Sequence, residues 1–158
     1  FGAPIPIPDH AVKCCKAALR MKKMEKIINN QLLAEKLIEK PLHTRIGINS
    51  GDMVVGNVGS LKRIDYTIIG GNVNIAARIE NINKEYDTSI LISDQTYELV
   101  KDYFETRRVD TVTLRGISRP VTVYELIKEK LPQNQEDSVE VFDDFDNIEV
   151  LEELEVID

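Results

Sequence analysis

Between residues 44 and 86, the spacing of apolar side chains changes from every second residue to every third or fourth residue. This change restricts the possible folds more than any other feature of the sequence. Apolar Ile46 and Ile48 alternate with polar or small residues, which is typical of a β-strand with one buried face. Over residues 72–86, apolar side chains recur every three or four positions, as on an amphipathic helix. Both patterns in close succession predict an α+β fold with a mixed or antiparallel sheet.

The N-terminal region predicts a loop followed by a long helix. Prolines exclude a helix from residues 1–8, and Asp9 stands at the expected N-cap. The helix is expected to be kinked or broken near Asn29 and Asn30 and to end before Pro41. Its predicted buried stripe comprises Ala11, Cys14, Ala18, Met21, Met24 and Ile28.

Short strands account for most of the remaining chain. A turn at residues 50–52 predicts a β-hairpin that joins the strand at Ile46 to residues 53–58. Ser93 is expected to cap a helix that extends to about residue 102. Later strands are predicted at residues 66–69, 89–92, 104–114 and 121–127.

Charge divides the chain into two regions. Residues 131–158 contain eleven Asp and Glu and no Lys or Arg, whereas residues 1–130 contain 20 basic and 16 acidic side chains. We therefore expect one domain over residues 1–130 and an acidic tail over residues 131–158, either solvated or docked as a short helix. The weakly basic domain favours a phosphate-bearing small molecule over a nucleic acid.

Cysteine usage and hydropathy bear on the compartment. Cys14 and Cys15 are the only cysteines, and as neighbours they are expected to be buried thiols in a reducing environment. No apolar run approaches the roughly 18 residues that a membrane span needs. These features predict a cytoplasmic fragment without membrane contact. Any membrane anchor of the parent protein would belong to more N-terminal segments.

The predicted helix over residues 72–86 carries a candidate phosphate-ester site. Its buried stripe is Ile75, Ile79 and Ile82, and the adjacent polar stripe is Asn74, Arg78, Asn81 and Glu85. Asn74 can hydrogen-bond a sugar, and Arg78, one turn later, can contact phosphoryl oxygens through two donors. From these residues alone, a solvated helix face with one surface Arg is the alternative.

Several ordered motifs place these residues in a wider pattern. They are FGAP at residues 1–4, GNVGS at 56–60, the basic pair Lys62 and Arg63, YTIIG at 66–70, VNIAARIE at 73–80, LRG at 114–116 and VTVYEL at 121–126. Over about residues 1–127, the series resembles the catalytic domain of class III adenylyl and guanylyl cyclases. The resemblance implies a ferredoxin-like nucleotidyl cyclase fold, N-terminally truncated, with helices flanking the sheet.

The same resemblance implies a role for each matching residue. Asn74 would orient the ribose, and Arg78 would stabilise charge on the reacting α-phosphate. Thr67 occupies the purine-selecting position and favours ATP. Arg115 stands at the position of a lysine that helps to hold the triphosphate, and Lys62 or Arg63 could share that task.

Further implications concern metals and assembly. Two ions, Mg²⁺ or Mn²⁺, would be bound by aspartates upstream of Phe1, so no metal ligand is expected in this chain and the fragment alone is expected to be inactive. Active sites would lie at a homodimer interface. The early strands of the family's sheet would be absent from this chain, which would leave sheet edges unpaired. We therefore expect that the chains self-associate or that the acidic tail covers the exposed edge.

Two functions from different classes follow. The first is the catalytic domain of an adenylate cyclase, converting ATP to 3′,5′-cyclic AMP and pyrophosphate. The alternative is a catalytically silent cyclase-homology module that binds nucleotide or acts as a regulatory dimer partner. It is raised by Gly71, which stands where the family usually has an aspartate.

Overall fold

The computed structural model describes residues 1–60, 63–114, 117 and 119–130, and within them three helices and six strands form. In chain order these are α1 (His10–Ala34), β1 (Ile46–Ile48), β2 (Val54–Ser60), β3 (Arg63–Ile69), α2 (Gly71–Tyr86), β4 (Ile90–Ser93), α3 (Asp94–Val100), β5 (Phe104–Val112) and β6 (Val121–Glu129). The predicted acidic tail lies outside the described residues. None of the three described helices has the length and apolar character of a membrane-spanning segment.

A four-stranded mixed sheet forms the centre of the fold. Its order is β1-β4-β6-β5, parallel between β1 and β4 and antiparallel elsewhere. Alternate residues of β4 point to opposite faces, so Ile90 and Ile92 pack with α1 while Leu91 packs with α2. The predicted α+β class, with a mixed sheet and flanking helices, is confirmed.

The prediction of a β-hairpin around residues 50–52 is wrong. β1 instead pairs with β4, and β2 pairs antiparallel with β3, ending at Ser60 opposite Arg63. Buried Ser50, just after β1, accepts a hydrogen bond from Thr96 Oγ1 of α3 at 3.1 Å. This contact holds the segment on the central core, so the chain does not fold back along β1.

The kink predicted near Asn29 and Asn30 is also wrong, because α1 continues unbroken to Ala34. The side chain of Asn29 pairs with the backbone of Leu42: Nδ2 donates to the carbonyl and Oδ1 accepts from the N–H, both at 2.8 Å. Because the Asn29 side-chain amide is hydrogen-bonded to this distant loop, the amide does not compete for the backbone hydrogen bonds of the helix. Asp9 is at the N-cap as predicted, but its side chain makes no capping hydrogen bond.

The predicted buried stripe of α1 is correct only in part. Ala11 and Ala18 are buried, but Cys15, rather than Cys14, is the fully buried thiol. Burial and the neighbouring Cys14 raise the pKa of Cys15 to about 12, so this thiol stays protonated near neutral pH.

The second half of α1 exposes apolar side chains that the sequence pattern placed in the core. Met21 is 57% exposed and Ile28 is 44% exposed. They border a groove of about 730 Å³ that reaches β1 and carries Lys16 and Arg20 on its wall. Among the described strands β1 pairs only with β4, so its other edge is open.

Acid is expected to weaken the attachment of α1 to the segment before β1. Glu25 accepts hydrogen bonds from Lys22 Nζ and from the Thr44 N–H, the latter at 2.8 Å. Partial burial raises the pKa of Glu25, but these hydrogen bonds outweigh it and lower the pKa to about 2 from its ordinary 4.5. The stabilisation is therefore present above about pH 4.5 and is lost as the pH falls towards 2.

We expect Glu25→Gln to lower the free energy of unfolding at pH 7 and to flatten its pH dependence between about 4.5 and 2. Urea denaturation at a series of pH values measures both effects. Glu39→Gln, at an exposed position, is the matched control and should keep the wild-type dependence. Identical pH dependence in Glu25→Gln and the wild type would contradict the prediction.

Candidate active site

The helix α2 is packed tightly against the sheet, and this packing fixes the direction of its polar stripe. Ile75, Ile79 and Ile82 are buried as predicted. A Cβ added at Gly47 of β1 would overlap the backbone of Ala76 and Glu80, so the backbones of strand and helix are in direct contact. The orientation of the adjacent polar stripe relative to the sheet is therefore fixed.

Asn74 and Arg78 lie one helical turn apart on α2, as their spacing predicts. Asn74 is exposed, whereas Arg78 is half-buried. The Nη1 atom of Arg78 is buried and has no hydrogen-bond partner among the described residues. Burying a guanidinium N–H without an acceptor is costly, so this position favours a ligand that supplies acceptor oxygens.

A cavity of about 440 Å³ opens beside Arg78. Its lining combines α2 with the end of β5: Arg78, Asn81, Ile82, Glu85, Val112, Thr113 and Leu114. Leu114 directly precedes Arg115 in the sequence, and this predicted triphosphate-binding residue lies outside the described residues. Thr113 was missed by sequence reasoning, because no local pattern connects it with a helix 35 residues earlier.

The far end of α2 is attached to the strand that forms the other wall of this cavity. Tyr86 Oη donates a hydrogen bond to Asp110 Oδ2 on β5. This bond raises the pKa of Tyr86 and lowers the pKa of Asp110, because it favours the neutral phenol and the ionised carboxylate together. The contact holds α2 and β5 at a fixed separation.

The remaining predicted site residues belong to the β2–β3 hairpin. Thr67 is exposed in the middle of β3, opposite Gly56. Arg63 begins β3 and forms an exposed ion pair with Asp65 at 3.1 Å. Neither Thr67 nor Arg63 lines the Arg78 cavity, and Lys62 lies outside the described residues. The structure therefore brings together α2 and the end of β5, but not the hairpin residues.

Carboxylates suited to a two-metal centre are not assembled in the described part of the chain. It contains no group of three or more His, Cys, Asp or Glu side chains that could hold a metal ion. Magnesium and manganese prefer carboxylate oxygens, and Glu85 is the one such residue at the Arg78 cavity. The residues around Arg78 therefore do not by themselves supply the ligands of a two-ion site, and the expectation that these ligands lie upstream of Phe1 stays a prediction.

Comparisons with known proteins show the family to which this fold belongs. The family model described as "Adenylate and Guanylate cyclase catalytic domain" matches residues 1–128. Adenylate cyclase 1 of Rhizobium meliloti is 35% identical over 127 residues, which are 80% of this chain and 19% of that protein. The crystal structure of the adenylyl cyclase CyaB from P. aeruginosa matches with 38% identity and a TM-score of 0.74, covering 82% of this chain and 66% of that one. The guanylyl cyclase Cya2 matches with 34% identity and a TM-score of 0.73, covering 85% and 66%.

The chain therefore belongs to the adenylate and guanylate cyclase catalytic domain family, whose members are lyases that use divalent metal ions. The fold implied by the sequence resemblance is confirmed. The chain spans about a fifth of the length of the R. meliloti relative and about two thirds of each of the two solved chains.

Proposed function

We propose that the chain is the part of an adenylate cyclase catalytic domain that contacts the ribose and the reacting phosphate of ATP. The observation that supports this most directly is the buried Nη1 of Arg78, which has no hydrogen-bond partner in the described part of the chain and lies one turn from the exposed Asn74. The overall reaction converts ATP to 3′,5′-cyclic AMP and pyrophosphate.

In the proposed mechanism, each of the two side chains has one task. Asn74 hydrogen-bonds the ribose and holds its 3′-oxygen in line with the α-phosphorus. The new bond joins this oxygen to the α-phosphorus while the 3′-hydroxyl proton passes to solvent, and the bond from the α-phosphorus to the leaving pyrophosphate oxygen breaks. Arg78 donates to the non-bridging α-phosphate oxygens, where negative charge develops in the transition state, and its half-buried position strengthens that interaction.

The preference for adenine rests on Thr67. The related structures include both an adenylyl and a guanylyl cyclase at similar identity, so overall similarity does not discriminate between the two purines. The exposed hydroxyl of Thr67 can donate to or accept from a purine edge. Its position within the sequence resemblance is the one from which family members select the purine.

Replacing Thr67 with valine, which keeps the shape but removes the hydroxyl, is expected to reduce the ratio of kcat/KM for ATP to kcat/KM for GTP by about tenfold, as loss of one discriminating hydrogen bond does. The ratio is measured with both nucleotides on the full-length gene product. Asn57→Ala, on the opposite face of the same hairpin, is the control. An unchanged ratio in Thr67→Val would remove Thr67 from purine selection.

Metal ions and a second protomer complete the proposed enzyme. Mg²⁺ or Mn²⁺ would assist the in-line displacement, held by carboxylates other than those described here. The proposed assembly is a homodimer with ATP at the interface. The exposed apolar side chains of the hairpin support it, because such a surface is typical of an interaction site; they are Val54, Val58, Ile64, Tyr66, Ile68 and Ile69.

The decisive experiment is a cyclase assay on the full-length gene product, with ATP or GTP and with Mg²⁺ or Mn²⁺. Cyclic AMP formed from ATP in preference to cyclic GMP from GTP supports the proposal. The isolated 158-residue chain is assayed in parallel and is expected to be inactive. Absence of cyclic nucleotide under all four conditions would refute the enzymatic function.

A catalytically silent homology module is the alternative, and the start of α2 gives it one supporting observation. Gly70 stands at the N-cap, and no side chain caps the helix. A Cβ at Gly71 would meet nothing within 4 Å, so packing does not require glycine at this position. Retained binding of ATP without turnover in the full-length gene product would favour the silent module.

A further inference from the structure

The β2–β3 hairpin and α2 carry different parts of the proposed site, so their relative orientation matters. Thr67 lies on the hairpin, and Asn74 and Arg78 lie on α2. All seven residues of β3 are exposed, so packing of that strand alone does not fix the direction of the hairpin. The orientation must be set largely at the base of the hairpin, where the chain enters β2 and leaves β3.

Asn72, in the first turn of α2, connects these two ends. Its Nδ2 donates to the carbonyl oxygen of Asp52, just before β2, at 2.9 Å. Asn49 Nδ2 in turn contacts the carbonyl and the Oδ1 of Asn72 at 3.1 and 3.2 Å. One side chain thus ties the segment entering the hairpin to the helix that follows it.

The direction of the Asn49 amide follows from this contact. Both atoms of Asn72 that it approaches are acceptors, so Asn49 must present its N–H₂ group to them. Its own Oδ1 is then left buried without a partner among the described residues. Such a buried unpaired acceptor is unfavourable, so the Asn49–Asn72 contact is maintained at a cost in hydrogen bonding.

The entering segment is also held from its other side and by close packing. Ser50 Oγ accepts a hydrogen bond from the fully buried Thr96 of α3. A Cβ at Gly51 would overlap the side chain of Asn72, so the backbone and this amide are in close contact. The segment is therefore confined between α3 and the start of α2.

We infer that Asn72 is a positioning residue that locks the base of the β2–β3 hairpin to α2. It thereby sets the position of Thr67 relative to Asn74 and Arg78. The functional part of this inference rests on the proposed cyclase activity, whereas the structural lock does not. Asn72 also holds the start of α2 where Gly70 and Gly71 supply no capping side chain.

The lock is tested by hydrogen–deuterium exchange on the 158-residue chain. Amides of residues 50–55 are expected to exchange about tenfold faster in Asn72→Ala, because the hydrogen bonds that hold this segment are lost. Asn72→Asp keeps the size of the side chain but cannot donate to the Asp52 carbonyl, and it should show a similar increase. Asn30→Ala, at an exposed position on α1, is the control and should exchange like the wild type.

The positioning role is tested by purine selectivity in the full-length gene product. Both Asn72 variants are expected to lower the ATP-to-GTP ratio of kcat/KM about tenfold, because Thr67 and Asn74 no longer hold a fixed separation. Equal losses with both nucleotides would overturn the positioning role, and unchanged exchange in both variants would overturn the lock. If the wild type makes no cyclic nucleotide, the proposed function and the positioning role both fail, while the exchange measurement still decides the lock.

Discussion

Substitution of Arg78 by alanine is expected to lower kcat for cyclic AMP formation about a thousandfold in the full-length gene product, with a smaller change in KM. The guanidinium is half-buried, and its buried Nη1 lacks a partner among the described residues, so this N–H is available to donate to a reacting phosphate. Charge grows on the α-phosphate oxygens during the displacement. The lost interaction is therefore stronger in the transition state than in the bound substrate.

Two further variants make this measurement specific. Arg78→Lys keeps the positive charge but loses the planar two-donor geometry, and an intermediate kcat is expected. Arg108→Ala removes an exposed arginine on β5 that donates to Thr111 Oγ1 at the surface, and it should leave kcat unchanged. Equal kcat in Arg78→Ala and the wild type would exclude Arg78 from the mechanism.

A second large effect is expected from Gly47→Ala, which should lower the free energy of unfolding by about 3 kcal/mol. The added Cβ would overlap backbone atoms of Ala76 and Glu80, and a backbone cannot rotate away as a flexible side chain can. Either α2 moves off the sheet or β1 shifts, and both disturb the packing of Ile75 and Ile79 against the sheet.

Gly56→Ala is the matched control, since it adds the same methyl group to another strand. A Cβ at Gly56 meets nothing within 4 Å, and the free energy of unfolding should change by less than about 0.5 kcal/mol. Urea denaturation of the 158-residue chain measures both variants. A Gly47→Ala protein as stable as Gly56→Ala would show that α2 lies farther from β1 than described.

Local patterns predicted what depends on neighbouring residues. The stripe of Ile75, Ile79 and Ile82 and the adjacency of Asn74 and Arg78 follow from helical periodicity, which needs no distant contact. The Ser93 cap of α3 is confirmed for the same reason, because its side chain accepts from the Thr96 N–H three residues later. The roles of Asn74, Arg78, Thr67 and Arg115 in catalysis and binding stay predictions.

The errors occurred where a distant residue decided the local structure. The side chain of Asn29 is hydrogen-bonded to the backbone of Leu42, so α1 continues past the expected kink. The contact between Ser50 and Thr96 keeps the chain from turning back after β1. Neither partner lies within the window over which a turn or a helix break is judged from sequence.

The sequence by itself determined the order and type of most elements, the buried face of α2 and the pair Asn74 and Arg78, because each depends on side chains within a turn or two of one another. Only the tertiary structure decided that β1 pairs with β4, that Thr113 reaches the cavity beside Arg78, and that Asn72 joins the hairpin to α2. Periodicity reports which face of an element is buried, but the partner that buries it is chosen by packing across the whole chain.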